Sequence, residues 1–256
     1  RLNRAIVDNQ FALYFQTVIP CASKSTAGRH LEILVRLIDD DGASITPGTF
    51  LPAAEKYNLI TSIDRWVIEH SLRWLVENTT ISETAITLSI NISGQTIGSP
   101  DMLKFIIDMR EVTGAPASQV IFEVTETAAI ANISSATSFM LTLRGVGFRF
   151  TLDDFGSGLS SFTYLKKLPV DFLKIDGVFV RDILSDPVDY AMVKAISELG
   201  QLLGKEIIAE LVETDELADE LRIMGVNYMQ GHSYGKPQPL NNFIHSQVPR
   251  LVVVSP

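Results

Sequence analysis

Apolar residues recur along this chain with two spacings, alternate positions in some stretches and helical spacing in others, and the two regularly take turns. Strand-like runs fall at residues 11–18, 31–37, 86–92, 119–124, 149–152, 171–175 and 206–209, with a fainter one at 226–229. Helical segments lie between them. Thr46-Pro47 reads as a cap followed by proline at the first helical position. Ile63, Trp66, Val67, Leu72, Leu75 and Val76 form one stripe of the next helix, with Thr61 and Asp64 spaced as its cap and third-position acid. Asp186-Pro187 opens another helix, whose buried side is read as Met192, Ile196, Leu199 and Leu203. Thr214, Asp215 and Glu216 open one more, with acids where free backbone N–H groups point.

Strands alternating with helices over most of the chain predict an α/β fold, a TIM-like (β/α)8 barrel. A doubly wound sheet is the competitor, weakened because no Gly-x-Gly-x-x-Gly follows an early strand. Gly200-Gln-Leu-Leu-Gly204-Lys205 has three residues between its glycines where a phosphate loop needs four, so it reads as a helix C-cap. No internal repeat or linker divides the 256 residues, and the chain is read as one domain, 1–256. It opens on Arg1 without a signal-peptide pattern, as expected of a domain cut from a longer protein. Whether the apolar tail at 251–254 docks or continues a strand is left open.

Composition narrows the chemistry. With 46% hydrophobic and 20% charged residues the chain is not disordered. Its 21 basic against 30 acidic residues, net −9, argue against coating a DNA or RNA polymer. No apolar run is long enough to span a membrane, so no membrane contact is expected of this segment. A single cysteine, Cys21, excludes a disulfide framework and cysteine-built metal sites. It fits a reducing, cytoplasmic setting, with any membrane anchor left to the parent protein.

The placement of the acids carries the most information. Buried carboxylates are costly unless paired or bound to metal. Yet Glu32, Glu123, Asp153-Asp154, Asp176 and Glu210 lie inside apolar runs or at their C-terminal ends, and Asn91 closes another. Strand ends on that face of a barrel converge on one bowl. Oxygen donors in this number suit Mg²⁺ or Mn²⁺, and two such ions would activate a water and neutralise a phosphoryl group. Lys174 in this cluster would stay charged and steady developing negative charge. Arg36, four residues past Glu32 on the same strand face, suits a substrate phosphate. Alternation sends one of Asp153 and Asp154 inward and the other sideways, so a turn is needed, which Gly156 and Gly158 are expected to provide. His30, His70 and His245 read as surface or packing residues, and His232 as a residue near the last strand end. Trp66 and Trp74 read as helix packing, and Phe155 as an anchor for its loop.

These motifs, taken in order, resemble the EAL domain family of cyclic di-GMP phosphodiesterases from about Phe11 to Pro239. The namesake Glu-Ala-Leu stands as Glu32-Ile33-Leu34 with Arg36 kept, followed by Pro47-x-x-Phe50-x-Pro52-x-Ala54-Glu55. Asn91-Ile92-Ser93, Glu123-Val-Thr125-Glu126 and Asp153-Asp-Phe-Gly-Ser-Gly158 come next, then Ser160-Ser161, Tyr164, Leu168-Pro169, Asp171 and Leu173-Lys-Ile-Asp176. Glu210 and Glu213, Gln230-Gly231 and Lys236-Pro237 close the pattern. Each motif alone is weak; their joint order and spacing are specific.

The resemblance implies a barrel whose first strand runs antiparallel to the others, which a hairpin near residues 18–28 allows. It implies two Mg²⁺ or Mn²⁺ ions held by Glu32, Asn91, Glu123, Asp153, Asp154 and Glu210, with Asp153 bridging and Lys174 on the attacking water. Glu126 and Glu213 would act behind the ligands, Glu126 by fixing the loop from Asp153 to Ser161. Leu34, within the namesake motif, joins Gln16, Arg36 and Gln230 as nucleotide contacts. The implied reaction opens one phosphodiester of cyclic di-GMP to linear pGpG by in-line attack of water, in a homodimer formed near that loop. The chain departs from the family at Ile33, Leu37 and Thr17, at His232, and above all at Leu211, where the family has glycine. Leucine there would resist a glycine-like backbone and shift Glu210 or narrow the cleft. That keeps a second reading open, a cyclic di-GMP receptor with little turnover. A purely structural interaction domain would leave the buried acids without a physical reason.

Overall fold

The computed structural model describes residues 2–21, 28–79, 85–157 and 163–245. In chain order its strands are β1 (Phe11–Pro20), β2 (Arg29–Ile38), β3 (Ser44–Ile45), β4 (Ile86–Asn91), β5 (Val120–Thr125), β6 (Arg149–Phe155), β7 (Phe172–Ile175), β8 (Glu206–Ala209), β9 (Tyr228–Met229) and β10 (Gln238–Pro239). The helices of the first half are α1 (Leu2–Val7), α2 (Pro47–Lys56), α3 (Ile60–Thr79), α4 (Gly94–Ile97) and α5 (Pro100–Thr113). Those of the second half are α6 (Glu126–Ala131), α7 (Ile133–Val146), α8 (Gly177–Val180), α9 (Pro187–Leu202) and α10 (Asp215–Ile223).

The strands close a barrel. β2, β4, β5, β6, β7, β8 and β9 pair in parallel in that order, and β1 joins β2 to β9 by antiparallel pairing on both sides. The antiparallel first strand is therefore as expected, and all eight sequence-predicted strands are present. β3 and β10, two residues each, only extend β2 and β1 and carry no period that a sequence pattern could reveal.

Two adjustments to the expected helices matter. α3 begins at Ile60, so Thr61 and Asp64 are not its cap and third position; Asp64 is the fifth residue of the helix, buried and facing inward. α9 is capped by Asp186 as expected; Ile196 is buried and Leu199 and Leu203 pack partly buried against the core as expected, but the buried positions centre on Val193, Ile196, Ser197 and Gly200 rather than on Met192. The face turns by a residue because small side chains let the helix settle onto the sheet: a Cβ on Gly200 would lie 2.2 Å from Ile207 Cδ1. Gly204, at φ +66°, ends this helix as the C-cap reading required. The tail at 251–254 and most of the turn between β1 and β2 lie outside the described residues.

Strand alternation then sets the inside of the barrel. Val18, Ile121, Phe172 and Ile208, with Tyr228 against them, form an apolar cluster separate from the main core between barrel and helices. His30 packs on Phe172 and Tyr228 and hydrogen-bonds Ser89 at 2.8 Å. Burial, with Arg149 nearby, pushes its pKa down to about 3, so it is a neutral packing residue, as read from sequence. Two residues further along each strand lies the next inward layer, and that layer is polar.

Candidate active site

The polar layer takes one residue from each barrel strand or its immediate end: Gln16, Glu32, Asn91, Glu123, Asp153, Lys174, Glu210 and Gln230. Lys174 stands at its centre with a side chain 1% exposed. Its Nζ lies 2.8 Å from Glu210 Oε1, 3.1 Å from Glu123 Oε2, 3.4 Å from Glu32 Oε2 and 3.5 Å from Asp153 Oδ1. Gln230 Nε2 donates to the same Glu32 Oε2 at 2.6 Å, and Asn91 Nδ2 to Glu32 Oε1 at 2.9 Å. Gln16 sits opposite Glu32 in the β1–β2 register and joins the chain of amides through Gln230, at 3.4 Å. Gln230 reaches this position because Gly231 follows it: a Cβ there would lie 1.9 Å from the Val212 carbonyl oxygen.

Asp153 and Asp154 reach the site together through a bulge. The β6–β7 register shifts between Leu152 and Phe155, and Asp154 itself takes the left-handed conformation, φ +53°. The expected turn is thus made by the second aspartate, two residues before the first of the glycines, of which Gly156 follows at φ +102° and Gly158 lies outside the described residues. Single carboxylate oxygens of Asp153, Asp154 and Glu210 come within 4.8 Å of one another, enough to hold one cation. Glu32, Asn91 and Glu123 are tied to that group through Lys174 and one another rather than standing in it.

Electrostatics divides the carboxylates. Burial works against a charge on Lys174, but Asp153, Glu123, Glu210 and Glu32 outweigh it and hold its pKa well above the ordinary value. Burial would raise Glu32, yet Lys174 and the Gln230 and Asn91 hydrogen bonds keep its pKa below the usual carboxylate range. Burial pushes Glu123 up to about 8 and Glu210 to about 7. Burial and the neighbouring Asp153 and Asp176 raise Asp154 to about 6. One ammonium is too little positive charge for this cluster. The buried Glu123 Oε1 and Gln230 Oε1 also have no hydrogen-bond partner. Hard oxygen donors, excess negative charge and an orphaned carboxylate oxygen fit a divalent cation of the Mg²⁺ or Mn²⁺ kind.

The remaining predicted residues surround this layer. Glu126 is buried at the start of α6 and accepts from Gly156 N at 3.1 Å and from the Tyr164 hydroxyl, so it grips both flanks of residues 158–162, which lie outside the described set with Ser160 and Ser161. Arg36 lies beyond Glu32 on β2, over the Tyr14 ring, and donates to its neighbour's carbonyl, Val35 O. Leu34 lines a cavity of about 350 Å³ with Asn91, Ile33, Val35, Pro47 and Asp64. Glu213 is not in the cluster: its carboxylate is 53% exposed and stands 3.9 Å from His232 Nδ1.

Leu211 does not displace Glu210, whose contact with Lys174 is the shortest of the four. The backbone does take the glycine-like form, φ +51°. The residue that sequence reasoning misplaced is Asp64. Its Oδ2 accepts from Ser93 N at 2.9 Å and Thr96 Oγ1 at 2.6 Å, tying α3 to the turn after Asn91, and burial raises its pKa. Its apolar neighbours Ile63 and Val67 were the available signal that it lies on a buried face.

Comparison with known proteins places this geometry. A family model described as "EAL domain" matches residues 1–237. The chain is 38% identical over 251 residues to the cyclic di-GMP phosphodiesterase PdeB of Shewanella oneidensis, covering 98% of this chain and 29% of that protein. It is 35% identical over 243 residues to the cyclic di-GMP phosphodiesterase PdeF of Escherichia coli, covering 94% and 32%. The chain thus spans about a third of the length of these curated relatives. Among solved structures it resembles the PaMucR phosphodiesterase in complex with c-di-GMP, with a TM-score of 0.88, 31% identity and coverage of 94% and 97%. The FimX EAL domain from Pseudomonas aeruginosa bound to c-di-GMP superposes with a TM-score of 0.86, 28% identity and coverage of 93% and 94%.

Proposed function

The chain belongs to the EAL domain family, and from that premise we propose that it hydrolyses one phosphodiester bond of cyclic di-GMP to linear pGpG. The observation that carries the reading is the polar barrel layer, in which Asp153, Asp154 and Glu210 offer oxygens within 4.8 Å of one another. Glu32, Asn91, Glu123, Asp153, Asp154 and Glu210 would hold two Mg²⁺ or Mn²⁺ ions. When bound, such ions polarise the phosphate and lower the pKa of water at neutral pH.

The chain's own groups do the rest. Lys174, kept protonated by its carboxylate neighbours, supplies fixed positive charge where negative charge develops on the phosphoryl oxygens. Gln230 and Asn91 hold the Glu32 carboxylate in one orientation, which spares its reorganisation during reaction. Gln16 and Gln230 present amides at the rim, and Arg36 a guanidinium fork suited to phosphate. The cavity beside Leu34 and Asn91 has the volume and largely apolar lining to receive a nucleobase. Glu126 steadies the segment after Asp154.

Two copies pairing around the loop from Asp153 to Ser161, and a cytoplasmic setting, complete the proposal. Among the described residues no helix is long and apolar enough to cross a membrane. Glu32→Ala and Asp153→Asn are each expected to abolish hydrolysis in steady-state assays with Mn²⁺. Turnover unchanged by either would remove the site assignment.

A further inference from the structure

Residues 210 and 211 form a short protrusion between two clamps. Gln230 N donates to Ala209 O at 2.9 Å, and Val212 N donates to Gln230 O at 2.9 Å, so the chain leaves β8 after Ala209 and is brought back at Val212. Leu211 makes that return in the left-handed conformation, φ +51°, which leucine rarely adopts. Its side chain is 44% exposed, so removal from water does not by itself account for its placement.

What it touches is Gly177, three residues beyond Lys174 and directly after Asp176, whose side chain caps α8. A Cβ on Gly177 would lie 2.4 Å from both Cγ and Cδ1 of Leu211 and 2.9 Å from its Cβ. The near approach at Cβ means that rotating the leucine side chain cannot relieve the overlap; the backbone beside Glu210 would have to move. The two residues interlock, one presenting a bare backbone and the other the side chain that fills it.

We propose that Leu211 is a positioning residue for the Glu210 carboxylate, locked against Gly177 so that the turn after β7, the strand that carries Lys174, and the protrusion that carries Glu210 hold one geometry. The contact sets the 2.8 Å approach of Glu210 Oε1 to Lys174 and its place beside Asp153 and Asp154. The proposal rests on the metal-site reading above, and concerns how that site is held rather than what it turns over.

Calorimetric titration with Mn²⁺, together with melting temperatures in chelator, tests it in wild type, Gly177→Ala, Leu211→Gly, Leu211→Ala and the Gly177→Ala/Leu211→Gly pair. Gly177→Ala is expected to weaken Mn²⁺ binding by roughly tenfold or more, the range seen when groups behind ligands are disturbed. In the Leu211→Gly background the same change should cost less than about threefold, because the colliding side chain is gone. Leu211→Ala should weaken Mn²⁺ binding while its melting temperature stays close to wild type, so a Gly177→Ala variant that fails to fold does not end the test. Wild-type affinity in Gly177→Ala or in Leu211→Ala, or an equal loss in both backgrounds, overturns the proposal. A wild-type protein that binds no Mn²⁺ would instead overturn the metal-site reading itself.

Discussion

Lys174→Met keeps most of the side-chain length and removes the charge around which four carboxylates are arranged. The contacts at 2.8, 3.1, 3.4 and 3.5 Å each correspond to roughly 5–6 kcal/mol of attraction at an effective dielectric of about 20. The folded protein would not lose that much, because carboxylates deprived of the cation take up protons. Removing one partner of a buried ion pair costs about 3–5 kcal/mol. For a domain of this size that lowers the melting temperature by about 6–20 °C.

The sign of the pH dependence follows from the direction of the shifts. Without the ammonium, the pKa values of Glu123 and Glu210, already raised to about 8 and about 7, move further up. The folded state then holds protons that the unfolded chain has released, and stability falls as pH rises. The deficit of the variant should be small near pH 5 and largest near pH 8, in keeping with the unfolded carboxylate range of about 4. Mn²⁺ should close part of it by replacing the missing charge. Thermal melts followed by circular dichroism, in chelator and in Mn²⁺ at both pH values, measure all of this. A variant that melts with the wild type in chelator near pH 8 would refute the idea that Lys174 holds the carboxylates together.

Two further expectations follow from the same geometry. Glu126→Gln leaves one acceptor for Gly156 N and the Tyr164 hydroxyl and turns an NH₂ toward the other; kcat/KM should fall about 10–100-fold in steady-state assays, and an unchanged value would remove the loop-fixing role. In the wild type, protons on Glu123, Glu210 and Asp154, whose pKa values are raised to about 8, 7 and 6, compete with metal. Apparent Mn²⁺ affinity should therefore rise with pH and level off above about 8, with proton release detectable in buffers of different ionisation enthalpy. Affinity that is flat from about pH 6 to 8 would contradict the raised values.

The barrel was legible because its signal is periodic. Each strand repeats inward and outward positions every two residues, so the acids, Asn91 and Lys174 could be read as converging from the strand ends, whereas Gln16 and Gln230 came in only through the family resemblance. What escaped depended on contacts between distant segments. The rotation of α9 is set by Gly200 meeting Ile207, and the burial of Asp64 by Ser93 and Thr96 arriving from another turn. The bulge at Asp154 breaks the alternation at the very residues that needed it broken, and pairing register is invisible in a local pattern. Glu213 rests on resemblance alone, and its half-exposed side chain stands beside His232 rather than in the buried cluster. Leu211 was judged by the conformation it must adopt; the compensating glycine at 177 lies on a different strand end.

The central claim is most directly tested by chromatographic product analysis after incubating the purified chain with cyclic di-GMP in Mg²⁺, Mn²⁺ and chelator, with nucleotide binding read on the same samples. The account predicts pGpG in either metal and none in chelator. Tight nucleotide binding without pGpG in any condition would contradict it and identify a receptor.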